Sequence, residues 1–296
     1  MKEFKKISPT AVGVACMRSQ YTNMPYTKDI FKRIDHVKQI PFYLRVPSPF
    51  NRIARFFSRS LEPVAGLEMR YLSINEILNE LDETWNIVEI AAGLSPRSLE
   101  WSDRQCLYVE TDLPDMLETK KRIYKDIVEN KKIKPLQKHV FVSLNAVDKD
   151  EWDRLGKTYF SNNRAKIAVI NEGLLGYLSA EEKCNLRDNL RYFFRTYASE
   201  GLWITPDFSI TAIPKYSRIA KHVTKGIQTH TERKFHRFNN RDEAINFLKE
   251  GDFDVIFPPN NEILTKLTCI PKMHLKKDRI QELLPIHQVC VAHFTK

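Results

Sequence analysis

The chain has 296 residues, 42% of them hydrophobic and 28% charged, with nine Gly and 15 Pro. This is the balance of a globular protein with a sizeable core, and it excludes disordered, collagen-like and low-complexity classes. The formal charge of +10 is uneven: residues 1–60 carry 12 Lys/Arg against three Asp/Glu, and residues 207–241 carry eight against two. Basic surface of this kind attracts anions, whether small acids, acidic peptides or nucleic acid.

Residues 1–70 read as a basic N-terminal extension, broken by Pro41, Pro47 and Pro49, that packs on the remainder. No apolar run approaches the roughly 20 residues of a membrane span. The stretch from Ala11 to Met17 is too short for a signal peptide and is closed by Arg18. Five cysteines occur with no CxxC pair, and the eight histidines show no HxH or HxxxH spacing. Reduced, buried thiols, a cytoplasmic location and the absence of a metal are expected.

From residue 71 the chain alternates strand and helix patterns. Ser73 and Glu76 form a capping box, with Leu72 and Ile77 as its staple, which predicts a helix start there. Residues 86–90 are a short apolar run suited to a buried strand, followed by the small-residue turn 91–95 and by Pro96 at a first helical position. A second strand over 106–110 ends at Thr111 and Asp112, and Pro114 opens a helix. A third strand covers 139–144 and a fourth 166–170, which runs into Asn171, Glu172 and Gly173. Ser179, boxed by Glu182, starts another helix, and a fifth strand lies at 202–204. Residues 240–250 form a capped helix, and 253–257 with 288–294 read as a last pair of strands with an antiparallel edge. Seven strands alternating with helices predict an α/β fold, a mostly parallel sheet covered on both faces. Its domain spans 71–296, with an insert at 207–240 where a lid would sit.

Such sheets bind ligands at the carboxyl ends of their strands. Three strand ends carry unusual residues. Small residues at 91, 93 and 95 let a ligand approach the backbone after strand one. Asp112 follows roughly 20 residues later, where a carboxylate takes the hydroxyls of a ribose; it can equally serve as a helix cap before Pro114. Glu172 closes an apolar strand and needs a cationic partner, either a ligand or an internal arginine.

The segments Glu89–Ser95, Val109–Pro114 and Glu172–Ser179 resemble three motifs of the leucine carboxyl methyltransferase family, which includes protein phosphatase methyltransferases and polyketide O-methyltransferases. The start, Pro9-Thr10-Ala11 through Arg18, and the terminal Cys290-Val291-Ala292 are similar as well. The resemblance implies a Rossmann-like class I methyltransferase that uses S-adenosylmethionine. It places Glu89 and Gly93 beside the cofactor's amino-acid portion, Asp112 on the ribose, Asn145 where an Asp usually binds the adenine amine, and Glu172 near the methionine end. Arg18 and Arg70 fall where basic residues meet the methionine carboxylate and the substrate, and Tyr177 falls on the substrate side. Three departures stand out. Ala91 replaces a loop glycine, which a negative φ would tolerate. Asn145 replaces Asp, and Met17 replaces the Lys of phosphatase-directed members. The expected reaction is O-methylation of a carboxylate, or of a hydroxyl, on an anionic small molecule or peptide. The rival expectation is a nucleic-acid-binding protein or RNA methyltransferase, with Arg52, Arg55 and Arg59 among Phe56 and Phe57 gripping phosphates and bases. The absence of an NPPY-like loop after strand four counts against that rival.

Overall fold

A computed structural model describes residues 8–34, 62–101, 104–161, 164–208, 236 and 238–295. The chain opens with helices α1 (Ser8–Tyr21) and α2 (Thr27–Lys32). Helix α3 (Glu62–Glu80) then leads to β1 (Trp85–Ile90), α4 (Arg97–Glu100), β2 (Tyr108–Asp112), α5 (Pro114–Lys131) and β3 (His139–Ser143). These are followed by α6 (Lys149–Tyr159), β4 (Ala165–Asn171), α7 (Ala180–Tyr197), β5 (Ala198–Thr205), α8 (Arg241–Lys249) and β6 (Phe253–Ile256). Three short helices, α9 (Ile263–Lys266), α10 (Cys269–Met273) and α11 (Lys277–Gln281), precede β7 (Cys290–Phe294).

The seven strands form one sheet in the order β3-β2-β1-β4-β5-β7-β6. The first five are parallel, and β7 runs antiparallel between β5 and β6. The expected mostly parallel sheet with an antiparallel edge is therefore present. Strand β4 shows why its sequence reads as an unbroken apolar run. Ile167 and Val169 pack on one face with Trp152, Phe193, Phe194 and Trp203, whereas Ala168 and Ile170 pack on the other with Ile74, Leu78 and Tyr108. Both faces are buried, so the strand has no polar side.

Helix α5 begins with Pro114 at its first turn, as expected. Ser179 and Glu182 make the predicted reciprocal capping box on α7, and Asn240 caps α8.

Three expectations need correction. Ser73 does not start a helix: α3 begins at Glu62 and runs through it, leaving Ser73 buried mid-helix with its Oγ unbonded among the described residues. The boundary drawn between 70 and 71 thus cuts a continuous helix. That helix is fixed by tertiary contacts, with Val64, Ala65 and Met69 packed against Ile263, Leu264, Cys269 and Leu283. Between β6 and β7 the sequence shows only one short helix pattern, whereas the structure has three helices that pack on α3. Most of the basic segments 1–60 and 207–241, including Arg52 to Arg59, lies outside the described residues.

Candidate active site

The carboxyl ends of β1, β2 and β4 lie side by side, because Glu89 pairs in register with Glu110 and Ile90 with Asn171. The turn after β1 is anchored across the strands: the Ala92 amide donates to the Thr111 carbonyl at 2.9 Å. Gly93 has φ +50° and Ala91 has φ +49°. The conformation at 91 is therefore left-handed, not the negative φ that an alanine accepts without cost. Its Cβ carries a strain of about 1 kcal/mol. The Ala11 methyl of α1 lies 3.4 Å from where a Cβ on Gly93 would sit, so α1 closes over this turn.

Asp112 ties this turn to β2. Its Oδ2 accepts from the Gly93 amide at 2.7 Å, and its Oδ1 accepts from the Leu113 amide at 2.7 Å. It therefore caps locally and also faces the turn, so the two readings of this residue coexist. Burial pushes its carboxyl above the usual range, although both amides pull the other way.

Glu172, just past β4, collects three guanidinium groups. Arg18 Nη2 donates to its Oε1 at 2.5 Å, Arg70 Nε lies 3.7 Å from Oε1, and Arg97 Nη2 lies 3.8 Å from Oε2. Burial pushes the Glu172 carboxyl up, but the three positive charges outweigh it and hold the group below its usual range. The internal partner anticipated from sequence is thus three arginines from three helices.

Arg97 also pairs with Glu89 and donates through Nε to Asn75 Oδ1 at 2.7 Å. Tyr108 donates to the other Glu89 oxygen at 2.7 Å. Glu89 is accordingly engaged on both oxygens within the core, at 2% exposure. The structure gives it the work of fixing Arg97. The Tyr71 ring lies under Arg97 and Arg18, with centroid distances of 4.5 and 5.1 Å. Its hydroxyl donates to Glu100 at 2.5 Å.

Arg70 does not pair with the acids nearest in sequence. Glu68 is taken by Thr268 and the Cys269 amide, and Glu76 pairs with Lys266. Arg70 turns to the site instead. Tyr177 stands on the same side, hydrogen bonded to Thr10, and burial keeps its phenol above the usual range. Asn145 lies beyond β3; its amide donates to Glu151 at 2.6 Å and its Oδ1 accepts from Val147 at 3.4 Å.

Two residues here escaped the sequence reading. Arg97 sits one position past Pro96, and a basic residue just after a small-residue turn was its only signal. Asp207, beyond β5, accepts from the amides of Gly173, Leu174 and Leu175 at 2.8, 2.6 and 3.0 Å, and from Asn171 Nδ2 at 2.8 Å. It fixes the turn that carries Glu172 and Tyr177. The strand-end acid rule that found Asp112 and Glu172 applies to it equally.

Residues 62–191 match the family model described as leucine carboxyl methyltransferase. That segment is similar to the leucine carboxyl methyltransferase family. It contains Arg70, Glu89, Gly93, Arg97, Asp112, Asn145, Glu172 and Tyr177, and it leaves out Arg18 and Asp207. No curated protein matches the chain. Among solved structures, a pyocyanin biosynthetic protein shows 13% identity and a TM-score of 0.46 over 86% of this chain and 61% of its own. The chain thus spans less than two thirds of that protein. An O-methyltransferase family protein from Burkholderia thailandensis shows 12% identity and a TM-score of 0.47, covering 92% of this chain and 72% of its own. The magnesium protoporphyrin IX methyltransferase of Synechocystis shows 9% identity and a TM-score of 0.45, covering 78% of this chain and 84% of its own. The fold assignment rests on the observed strand order rather than on these distant likenesses. Among the described residues no helix is long and apolar enough to cross a membrane, and no cluster of His, Cys, Asp and Glu could hold a metal.

Proposed function

We propose that this protein is an S-adenosylmethionine-dependent methyltransferase that esterifies a carboxylate on an anionic small molecule or peptide. The observation that carries this reading is the excess of positive charge around Glu172. Three arginines face one carboxylate, and Glu89 offsets only Arg97. Arg18 Nε, Arg70 Nε and Arg97 Nη2 are buried with no hydrogen-bond partner among the described residues. Unmet donors of this kind are costly unless a ligand accepts from them. Carboxylates supply such acceptors, and both the methionine end of the cofactor and the acceptor substrate carry one.

The residues fit the cofactor. Arg18 would take its methionine carboxylate, the turn at Gly93 would let it lie close to the backbone, and Asp112 would accept from ribose hydroxyls with the lone pairs its two amides leave free. Asn145 would meet the adenine with a neutral acceptor. A Cβ on Gly173 or Gly176 would meet no atom of the described residues within 4 Å. The bound cofactor supplies an electrophilic methyl group on a sulfonium.

The chain's own task is to place the nucleophile in line with that methyl. A carboxylate acceptor is already ionised and needs no general base. Arg70 would orient it through a bidentate guanidinium contact, and Tyr177 stands on the same side of the site. Glu172 holds Arg70 in place and tempers its charge. No histidine is needed, and His139 lies at the other end of β3, bonded to Glu110. The family match favours methyl transfer, and nothing in the described residues supports the nucleic-acid reading.

The test uses methyl-labelled S-adenosylmethionine with a fractionated lysate. Label is expected in an acidic fraction and is expected to be released by mild base, as a methyl ester is. Base-stable label would overturn the carboxylate reading in favour of a hydroxyl acceptor.

A further inference from the structure

Outside the arginine cluster, buried charge concentrates beneath the turn after β1. Glu110 is fully buried on β2 and lies two residues before Asp112, so both acids point to one face. Lys120 reaches Glu110 and the turn from α5 at 4% exposure. Its Nζ lies 2.6 Å from Glu110 Oε1 and 3.4 Å from the Ala92 carbonyl of the turn. His139 Nε2 lies 3.2 Å from the other Glu110 oxygen.

Desolvating an ammonium and a carboxylate is expensive, and apolar replacements for a buried pair often stabilise a protein. The neighbours of Lys120 on α5 are apolar: Met116, Ile123 and Ile127 pack into the same cluster. Packing alone would thus favour an apolar residue at 120. The second effect of the ammonium explains its presence. Glu172 is paired with three arginines, whereas among the described residues Asp112 accepts hydrogen bonds from two backbone amides alone. Lys120 is the cation whose field opposes both the burial of Asp112 and the repulsion from Glu110.

The geometry points to Lys120 as a positioning residue for the cofactor subsite: fixed by Glu110, its ammonium holds the turn through the Ala92 carbonyl and sustains the negative charge on Asp112 that accepts the ribose hydroxyls. This assignment rests on the cofactor reading above.

Calorimetric titration with S-adenosylhomocysteine tests it on the full chain. Wild type, Lys120→Met, the double variant Glu110→Gln/Lys120→Met, Asp112→Asn and Asp112→Asn/Lys120→Met are compared, with melting curves alongside. Lys120→Met is expected to weaken binding about tenfold, or roughly 1.4 kcal/mol. The double variant, which leaves no unpaired buried carboxylate, is expected to lose the same factor. In the Asp112→Asn background, removal of the lysine is expected to change binding less than about twofold, because contacts acting through one residue are not additive. Wild-type affinity in the double variant overturns the proposal. So does an equal loss with and without Asp112, which marks a role in packing alone. Failure of both lysine variants to fold would assign Lys120 to the fold and overturn it too. No binding by wild type would instead remove the cofactor reading, and this proposal with it.

Discussion

Two acids at neighbouring strand ends are treated in opposite ways. Asp112 is held by two uncharged backbone amides, and burial leaves its carboxyl above the usual range. Glu172 is held by three guanidinium groups and lies below that range. The first arrangement leaves a carboxylate with spare lone pairs and a single ammonium, that of Lys120, acting on it from α5, which suits neutral hydroxyl donors. The second leaves surplus positive charge and unmet N–H groups, which suits a second anion. Complementarity to a ribose at one end and to carboxylates at the other follows from how each acid is partnered, not from the acid itself.

The largest expected effect breaks the second arrangement. Glu172→Gln keeps the shape but removes the charge facing Arg18, Arg70 and Arg97. Breaking a buried pair in this way is expected to cost about 3 kcal/mol in urea unfolding. The stability from Glu172 is present above the ordinary glutamate range and is lost as pH falls through its lowered folded value, so the variant is expected to unfold with a shallower acid limb than wild type.

Arg70→Lys tests the acceptor end alone. A lysine keeps the charge but cannot make two parallel bonds to a carboxylate. The ratio kcat/KM is expected to fall about a hundredfold with little change in melting temperature. Unchanged turnover would remove Arg70 from the site and weaken the case for a carboxylate acceptor.

A pH effect acts at the same end. His287 is buried, filling the space over Gly66, where a Cβ would lie 2.4 Å from its Nε2. Burial, then the Arg70 charge, pushes its pKa down to about 3. The unfolded chain binds this proton from about pH 6.5, so stability is full above that value and is lost on the way down to the folded pKa. The loss is expected at up to about 1.4 kcal/mol per pH unit between those limits. Denaturant midpoints across pH 4–7 read it out, and His287→Gln should flatten the slope.

The smallest effect concerns the Asp112 end. Ala91→Gly relieves the left-handed strain and is expected to raise stability by up to about 1 kcal/mol, offset in part by the entropy that glycine adds to the unfolded chain. A clear loss of stability would show that the Ala91 methyl contributes packing that the strain argument ignores.

Much of this architecture is legible in the residues. The central strands β1, β2 and β4 appear as short apolar runs, because strands buried on both faces have no other way to read. Asp112 and Glu172 stand out as acids where apolar strands end. The long helix α3 was not legible at its start: Ser73 and Glu76 mimic a cap, and only packing against the helices before β7 extends the helix back to Glu62. Asp207 satisfies the strand-end acid rule as well as Asp112 and Glu172 do, whereas the meeting of Arg97 with Glu172, remote in sequence, is encoded by no local pattern. The strain at Ala91 was also hidden, since the sign of φ at a turn depends on the bonds that Ala92 and Gly93 make to β2.

The most direct test of the account is cofactor binding by the ligand-free protein, followed by melting temperature. S-adenosylhomocysteine at a hundredfold over its Kd is expected to add about 2.7 kcal/mol of stability, a rise of roughly 5 °C for a chain of this size. Asp112→Ala is expected to remain folded and to lose about 2–3 kcal/mol of that affinity. No shift for wild type at millimolar ligand would contradict the account, and an Asp112→Ala variant that melts early yet binds at full strength would leave Asp112 as a cap alone.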